Sequence, residues 1–376
     1  MRRITCSPRD GWQKKVEEVG LAWHSSSGPY WNESAYYEFS AKEVDAIEAA
    51  TNNLHDRCLE AVQQVIDDKL YARLGIPEMA VPLIERSWEA EPPSLYGRFD
   101  FAYDGVNPPR LLEYNADTPT SLLEAAVVQW YWLQEVFPKA DQFNSIHERL
   151  IAKWKDLKNY LKMPLYLTNM DTTEDTLTVA YMRDTAEQAG LACKSILIEE
   201  IGWDQDQNYF VDLDLNPIHS VFKLYPWEWL LADDFGEHTL MTYGETQWLE
   251  PIWKMVLSNK GILAILWEMH PNHPNLLETY FDTPRWMSTY AKKPLLAREG
   301  ANITLTTASG TVGPTEGTYG AEGYVFQALA EPPNMDGNYP VIGSWMIDQE
   351  AGGMGVRESD GPITTNLSRF VPHMFE

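Results

Sequence analysis

Along the chain the spacing of apolar residues changes repeatedly, and each change marks a different kind of element. After a loop at 23–31, Val44, Ile47, Leu54, Cys58, Leu59, Val62, Val65 and Ile66 recur at helical spacing. Ser40 and Glu43 form a capping box ahead of them, so a helix is predicted from 40 to about 68. A shorter helix is predicted over 82–88, with Pro82 in its first turn and Pro92-Pro93 beyond it. Residues 98–103 and 110–114 alternate apolar and polar around a turn containing Asp104-Gly105 and Pro108-Pro109, the signature of a β-hairpin. The stretch 121–136 is apolar nearly all round and predicts a buried helix. An amphipathic helix follows over 146–161.

The pattern then shifts twice. Strands predicted at 165–168, 195–199 and 219–224 enclose a helix at 177–190, which suggests a small parallel α/β unit. A helix over 253–267 leads into strands at 290–295, 303–306, 324–327, 341–347 and 353–357, with a glycine-containing loop at 310–323. This last third reads as mainly antiparallel β. The expected division is therefore 1–160 with the helices and hairpin, 161–245 with the α/β unit, and 246–376 as a β-rich portion.

Composition narrows the function classes. A formal charge of −26, from 55 acidic against 29 basic residues, disfavours nucleic acid and anionic membranes as partners. The 3 cysteines lie far apart and form no CxxC, which argues against a disulfide scaffold or zinc site and fits a reducing cytosol. The N-terminus lacks the apolar core of a signal peptide, and no run approaches a membrane span; a cytoplasmic protein is expected. With 15 Trp and 19 Tyr among scattered carboxylates, a carbohydrate-active protein stays open as a reading.

Candidate chemistry gathers in a few places. Period-2 geometry puts Arg98 with Asp100, and Glu113 with Asn115, on matching strand faces. Two carboxylates and an amide oxygen suit Mg²⁺ shared with phosphate oxygens; a surface hairpin with charge pairs is the alternative. Asp117 or Thr118 can cap the following helix, with Pro119 in its first turn. Lys260, Lys293 and the Arg298-Glu299-Gly300 turn can hold phosphates without the Walker motif this chain lacks. Arg357 lies in GGMGVRE, where small residues let backbone approach a ligand. Glu174 and Asp175 open a predicted helix, where they either complement its dipole or dock a cationic substrate. The aromatic run FKLYPWEW reads as core.

Taken together, RFD, LLEYNADTPTSLLEA, FKLYPWE, LSNK, KKPLLAREGANI and GVRE resemble, in order and over nearly the whole chain, the glutathionylspermidine synthase family. The likeness is to its synthetase domain and its stand-alone acid–amine ligase-like members. It implies an α+β / α/β architecture: a permuted ATP-grasp fold with an inserted pre-ATP-grasp-like α/β unit, the metal hairpin early and the nucleotide clamp late.

By this resemblance Asp100, Glu113 and Asn115 bind Mg²⁺, Arg98 and Arg357 face the reacting centre, and Lys260 and Lys293 hold ATP phosphates. Arg298 to Asn302, including Gly300, form a loop over them, and Gln327 with Ala328 and Leu329 flanks adenine. Thr118, Thr120 and Ser121 adjoin a thiol-peptide acid, and Glu174 and Asp175 a polyamine. The implied reaction activates a carboxylate as an acyl phosphate and forms an amide with an amine; an ATP-binding module without ligase turnover is the alternative. The chain begins directly in the synthetase, so product hydrolysis by an N-terminal cysteine amidase is not expected. Leu224 stands where synthases tend to have threonine, and Asp175 where they have glutamate.

Overall fold

The computed structural model describes residues 1–25, 28–330, 332–365 and 368–376. The predicted hairpin forms, as strands Tyr96–Ala102 and Arg110–Asn115. Every residue of Tyr96–Ala102 is buried, so this is an interior strand rather than a surface ornament. It is flanked by its hairpin mate and by Tyr339–Ile347 from the far end of the chain, with Asp100 opposite Gly343. A Cβ on Gly343 would stand 2.9 Å from Arg98 Cδ, so the glycine makes room for that arginine to lie across the sheet. Glu350–Ser359 and Arg369–Val371 complete a five-stranded antiparallel central sheet.

The capped helix runs Ala41–Asp67 and turns Val44, Ile47, Leu54, Cys58, Val62 and Val65 inward. Ser40 N donates to Glu43 Oε2 at 2.8 Å, half of the expected capping box. The middle of the chain forms a four-stranded, wholly parallel sheet in the order Gln247–Leu249, Ser220–Leu224, Leu165–Asn169, Cys193–Leu197. Its outermost strand lies just beyond residue 245. A second antiparallel sheet, Thr279–Phe281, Tyr324–Ala328, Tyr290–Pro294, Thr304–Thr307 and Gly310–Val312, carries the late lysine-bearing strand.

Several elements differ from their sequence pattern, each for a tertiary reason. The helix expected over 253–267 is broken: Met255–Ser258 is followed by Ile262–Met269. At the break Asn259 Nδ2 donates to Leu74 O at 2.6 Å, Gly261 N donates to Asn259 Oδ1 at 2.8 Å, and Lys260 N donates to Leu295 O at 2.8 Å. The apolar spacing is continuous across it, so periodicity could not reveal it. The helix expected over 121–136 contains a π-helical turn, Glu124–Val128, before Gln129–Val136. The helix in the α/β unit starts at Thr173, with Thr172 Oγ1 accepting from Asp175 N at 3.2 Å. Within the loop expected over 310–323, Gly310–Val312 is an edge strand.

A three-stranded sheet was not legible at all. Arg2–Thr5 and His373–Phe375 both pair with Ala35–Phe39, so the two chain ends share one partner. Such short strands carry too little alternation to signal themselves; their long-range pairing decides them.

The aromatic richness is mostly core. Trp31, Trp132, Trp154, Trp227 and Trp345 are fully buried, which weakens the aromatic motive for a carbohydrate-active reading. Among the described residues no helix is long and apolar enough to cross a membrane.

Candidate active site

Hairpin register sets the first half of the site. Arg98 lies opposite Asn115 and Asp100 opposite Glu113, as the alternation requires. Beyond Asp100 the pairing slips, so that Phe101 faces Leu111 and Leu112 is the extra, bulged residue. Arg98 grips Asp100 with two hydrogen bonds, Nε to Oδ1 at 2.7 Å and Nη2 to Oδ2 at 3.1 Å, and donates from Nη1 to Thr120 O at 2.5 Å. Arg357 reaches over from its own strand and donates to Asp100 Oδ2 at 2.9 Å. Asn115 Nδ2 donates to Glu113 Oε1 at 3.1 Å and, more weakly, to Asp100 Oδ2 at 3.4 Å.

The bulge is where the second half attaches. Lys293 Nζ donates to Leu112 O at 2.9 Å and to Gln327 Oε1 at 2.6 Å, while Gln327 Nε2 donates to Leu111 O at 3.0 Å. Lys260, released by the helix break, pairs with Glu113 Oε2 at 2.8 Å and donates to Ala297 O at 2.6 Å. Burial by itself raises the Glu113 pKa, but Lys260 and Lys293 outweigh it and hold the carboxyl well below the usual range. For Lys293 burial dominates and lowers the ammonium to about 8, against the pull of Glu113.

These groups open on one cavity of ≈ 610 Å³. It is lined by Arg98, Asp100, Glu113, Asn115, Thr118, Thr120, Glu174, Asp175, Leu224, Lys293, Arg298, Gly300, Gln327, Leu329 and Arg357. Two of the candidate residues do not line it. Lys260 stands behind Glu113, and Ser121 is turned away, its Oγ 3.3 Å from Tyr30 OH. At the Glu174 end, burial pushes the Asp175 carboxyl up to about 6, with the Glu174 charge beside it adding to the effect.

Trp23, Thr172, Thr173 and the segment 362–365, which the sequence did not mark as site residues, line the same cavity, and so does Trp229, which was expected in the core but ends its run half-buried at the cavity wall. Just outside it, Tyr30 OH donates to Glu124 Oε1 at 2.7 Å inside the π-helical turn, and burial pushes the Glu124 carboxyl up to about 7. The buried pair Lys223 Nζ–Asp117 Oδ1, at 2.7 Å, joins the middle unit to the turn after the hairpin. Its partners are far apart in sequence, so no local spacing announces it.

The likeness to known proteins extends over the whole chain. It is 44% identical over 394 residues to a Haemophilus influenzae protein described as "putative acid–amine ligase", with 100% of each chain covered. It is 29% identical over 358 residues to trypanothione synthetase of Crithidia fasciculata, covering 88% of this chain and 55% of that one. To the bifunctional glutathionylspermidine synthetase/amidase of Escherichia coli it is 25% identical over 395 residues, covering 96% of this chain and 63% of that one. The chain thus spans all of the first relative and less than two thirds of the other two.

A solved glutathione synthetase-like effector from Globodera pallida shares the fold, with a TM-score of 0.58 at 10% identity over 99% of this chain and 98% of that one. The chain is an enzyme of the carbon–nitrogen ligase class. The family described as glutathionylspermidine synthase pre-ATP-grasp matches residues 3–376, and the chain belongs to it.

Proposed function

We propose that this cavity joins a small carboxylic acid to an amine, using ATP to activate the acid as an acyl phosphate. The observation that carries the reading is the joint at the bulge. There an early hairpin bearing Asp100, Glu113 and Asn115 meets late cations, Lys260, Lys293 and Arg357, around one cavity. An early metal hairpin and a late lysine clamp also support a permuted ATP-grasp fold. In that division 161–245 forms the inserted pre-ATP-grasp-like unit and 246–376 the clamp.

The donor set fits Mg²⁺. Asp100 and Glu113 offer hard carboxylate oxygens across one strand pair, beside the Asn115 amide. Among the described residues no three His, Cys, Asp or Glu side chains gather into a group that could hold a metal alone; Asp100, Glu113 and Asn115 would hold the cation together with phosphate oxygens. Bound Mg²⁺ supplies charge neutralisation on the phosphate oxygens.

The chain's own residues do the rest. By this reading Arg98 and Arg357, both paired with Asp100, stabilise the transferring phosphoryl group and Lys293 holds the nucleotide phosphates, while Lys260, expected beside it, acts from behind Glu113. Gly300 belongs to the loop over those phosphates, and Gln327 to Leu329 form the edge beside the base. Thr118 and Thr120 face the acid, and Ser121 supports that turn from behind. Glu174 and Asp175 attract the cationic amine.

A thiol peptide and a polyamine are the acid and amine that the family points to. Leu224, in place of a hydroxyl residue, and the shortened Asp175 are the two positions at which this chain departs from the synthases' pattern for glutathione and spermidine. The substrates are small molecules of the cytoplasm. An ATP hydrolysis assay across carboxylate and amine pairs, with mass detection of the amide, tests the reading. Hydrolysis without amide under every pair reduces the function to an ATPase module. Full activity in Glu113→Ala removes Glu113 from the site.

A further inference from the structure

The motif FKLYPWE supplies no group to the proposed chemistry, yet two of its charged side chains are built into a closed polar ring beside the cavity. Arg298, at the start of the loop over the cavity, donates from Nη1 to Thr118 Oγ1 at 2.7 Å and from Nη2 to Glu228 Oε1 at 2.7 Å. Glu228 lies in the first turn of Trp227–Ala232. The residue next to Thr118 closes the ring. Asp117 accepts from Lys223 Nζ at 2.7 Å and, through its other oxygen, from Trp227 N at 3.0 Å. The Lys223 ammonium also donates to Tyr225 O at 2.9 Å and lies 4.6 Å from the Trp227 ring centroid.

Three separate parts of the chain are therefore tied together: the turn after the hairpin, the middle unit, and the loop that begins at Arg298. The two ties differ in kind. Asp117 and Lys223 are 1% and 0% exposed, which makes them a permanent anchor. Arg298 and Glu228 keep 25% and 13% of their side chains exposed, and Arg298 lines the cavity, so their contact can respond to what binds there. Nε of Arg298 is buried without a hydrogen-bond partner, leaving the two terminal nitrogens to hold the guanidinium, with the Trp229 ring 5.7 Å away. On its other side the loop is pressed close: a Cβ on Gly300, at φ +73°, would stand 2.4 Å from Thr364 O.

We propose that Glu228 is a positioning residue: it holds Arg298 across to Thr118 and so fixes the loop over the cavity to the wall that receives the acid. The assignment rests on the nucleotide-and-acid reading of the cavity. Glu228 acts through Arg298 and touches no reacting atom. It couples the two ends of the site, because one guanidinium spans the loop and the acid-side turn. A charge-assisted hydrogen bond of this geometry is among the stronger polar ties available.

The full-length protein tests this with two readouts. One is the rate at which trypsin releases the fragment ending at Arg298, identified by mass; the other is Mg-ATP binding by calorimetry. Glu228→Ala is expected to release that fragment faster and to weaken Mg-ATP binding about tenfold, the scale of a lost hydrogen bond to a charged group. Glu228→Gln, which keeps an acceptor, is expected to recover part of both effects, and it carries the test if the alanine variant does not fold. Wild-type rates and affinity in both variants overturn the proposal. If wild-type protein binds no Mg-ATP, the nucleotide reading of the cavity fails, and the cleavage rates alone decide the bridge.

Discussion

The hairpin and the lysine clamp face each other across one cavity but are encoded in different ways. Arg98, Asp100, Glu113 and Asn115 lie within 18 residues on two paired strands, so alternation puts each pair on one face of its strand, and the bulge at Leu112 sets Asp100 opposite Glu113. Lys260, Lys293, Gln327 and Arg357 come from a helix break and separate strands, and only folding brings them to Asp100, Glu113 and the bulge. The hairpin is a local motif that needs a partner. The clamp's cations, buried Lys260 and Lys293 and half-buried Arg357, need an anion, and the hairpin carboxylates serve as that anion. Each half thus supplies the charge that makes the other's burial tolerable.

Breaking the joints should therefore cost more than altering either half alone. The largest effect is expected from Lys223→Met, which leaves Asp117 buried beside only a backbone N–H. Loss of one partner of a buried pair costs about 3–5 kcal/mol, readable as a lower free energy of unfolding in urea. Next is Glu113→Ala, which strips the clamp of its anion. Mg²⁺-dependent ATP hydrolysis is expected to fall about 10²–10³-fold, the range for removing one preorganised electrostatic group.

A third variant probes the buried carboxyl behind the cavity. The Glu124 pKa is raised by burial to about 7 from an ordinary 4.5. Its contribution to stability is therefore full below about 4.5 and is lost as pH rises through about 7. Glu124→Gln should abolish that loss, so the variant gains on the wild type at neutral pH by up to about 3 kcal/mol. Urea melts of both proteins at pH 5 and pH 8 measure the difference. The smallest effect concerns Lys293, whose ammonium is lowered to about 8 by burial. Above that pH the free enzyme loses the charge, so kcat/KM for ATP should fall by up to about tenfold per unit. Lys293→Met should lower kcat/KM at neutral pH and remove this alkaline limb; a limb that survives belongs to another group.

The fold was legible where the pattern was local. The capped helix Ala41–Asp67, the hairpin and the strand–helix alternation of the middle unit follow from spacing alone. The break at Lys260 was not, because Leu257 and Ile262 keep the apolar rhythm on either side while Asn259 bonds to a carbonyl 185 positions away. Ser121 illustrates the same limit within the site. It shares a hydroxyl-rich turn with Thr118 and Thr120, yet its positive φ of 66° turns it towards Tyr30 instead of the cavity. The bulge at Leu112, which offers its carbonyl to Lys293, has no signature in RLLEYN, since a bulge is a property of two strands and not of one.

By itself, then, the sequence determined the elements with strong short-range periodicity, the side-chain types at the site and the order in which they occur along the chain. Tertiary structure decided which cation meets which carboxylate, where the long apolar helix breaks, and that Asp117, Lys223, Glu228 and Arg298 form one ring. The division has a physical origin. Periodicity and capping act over a few residues, whereas burying a charge is tolerable only beside a counter-charge, and in this fold that counter-charge comes from a distant part of the chain.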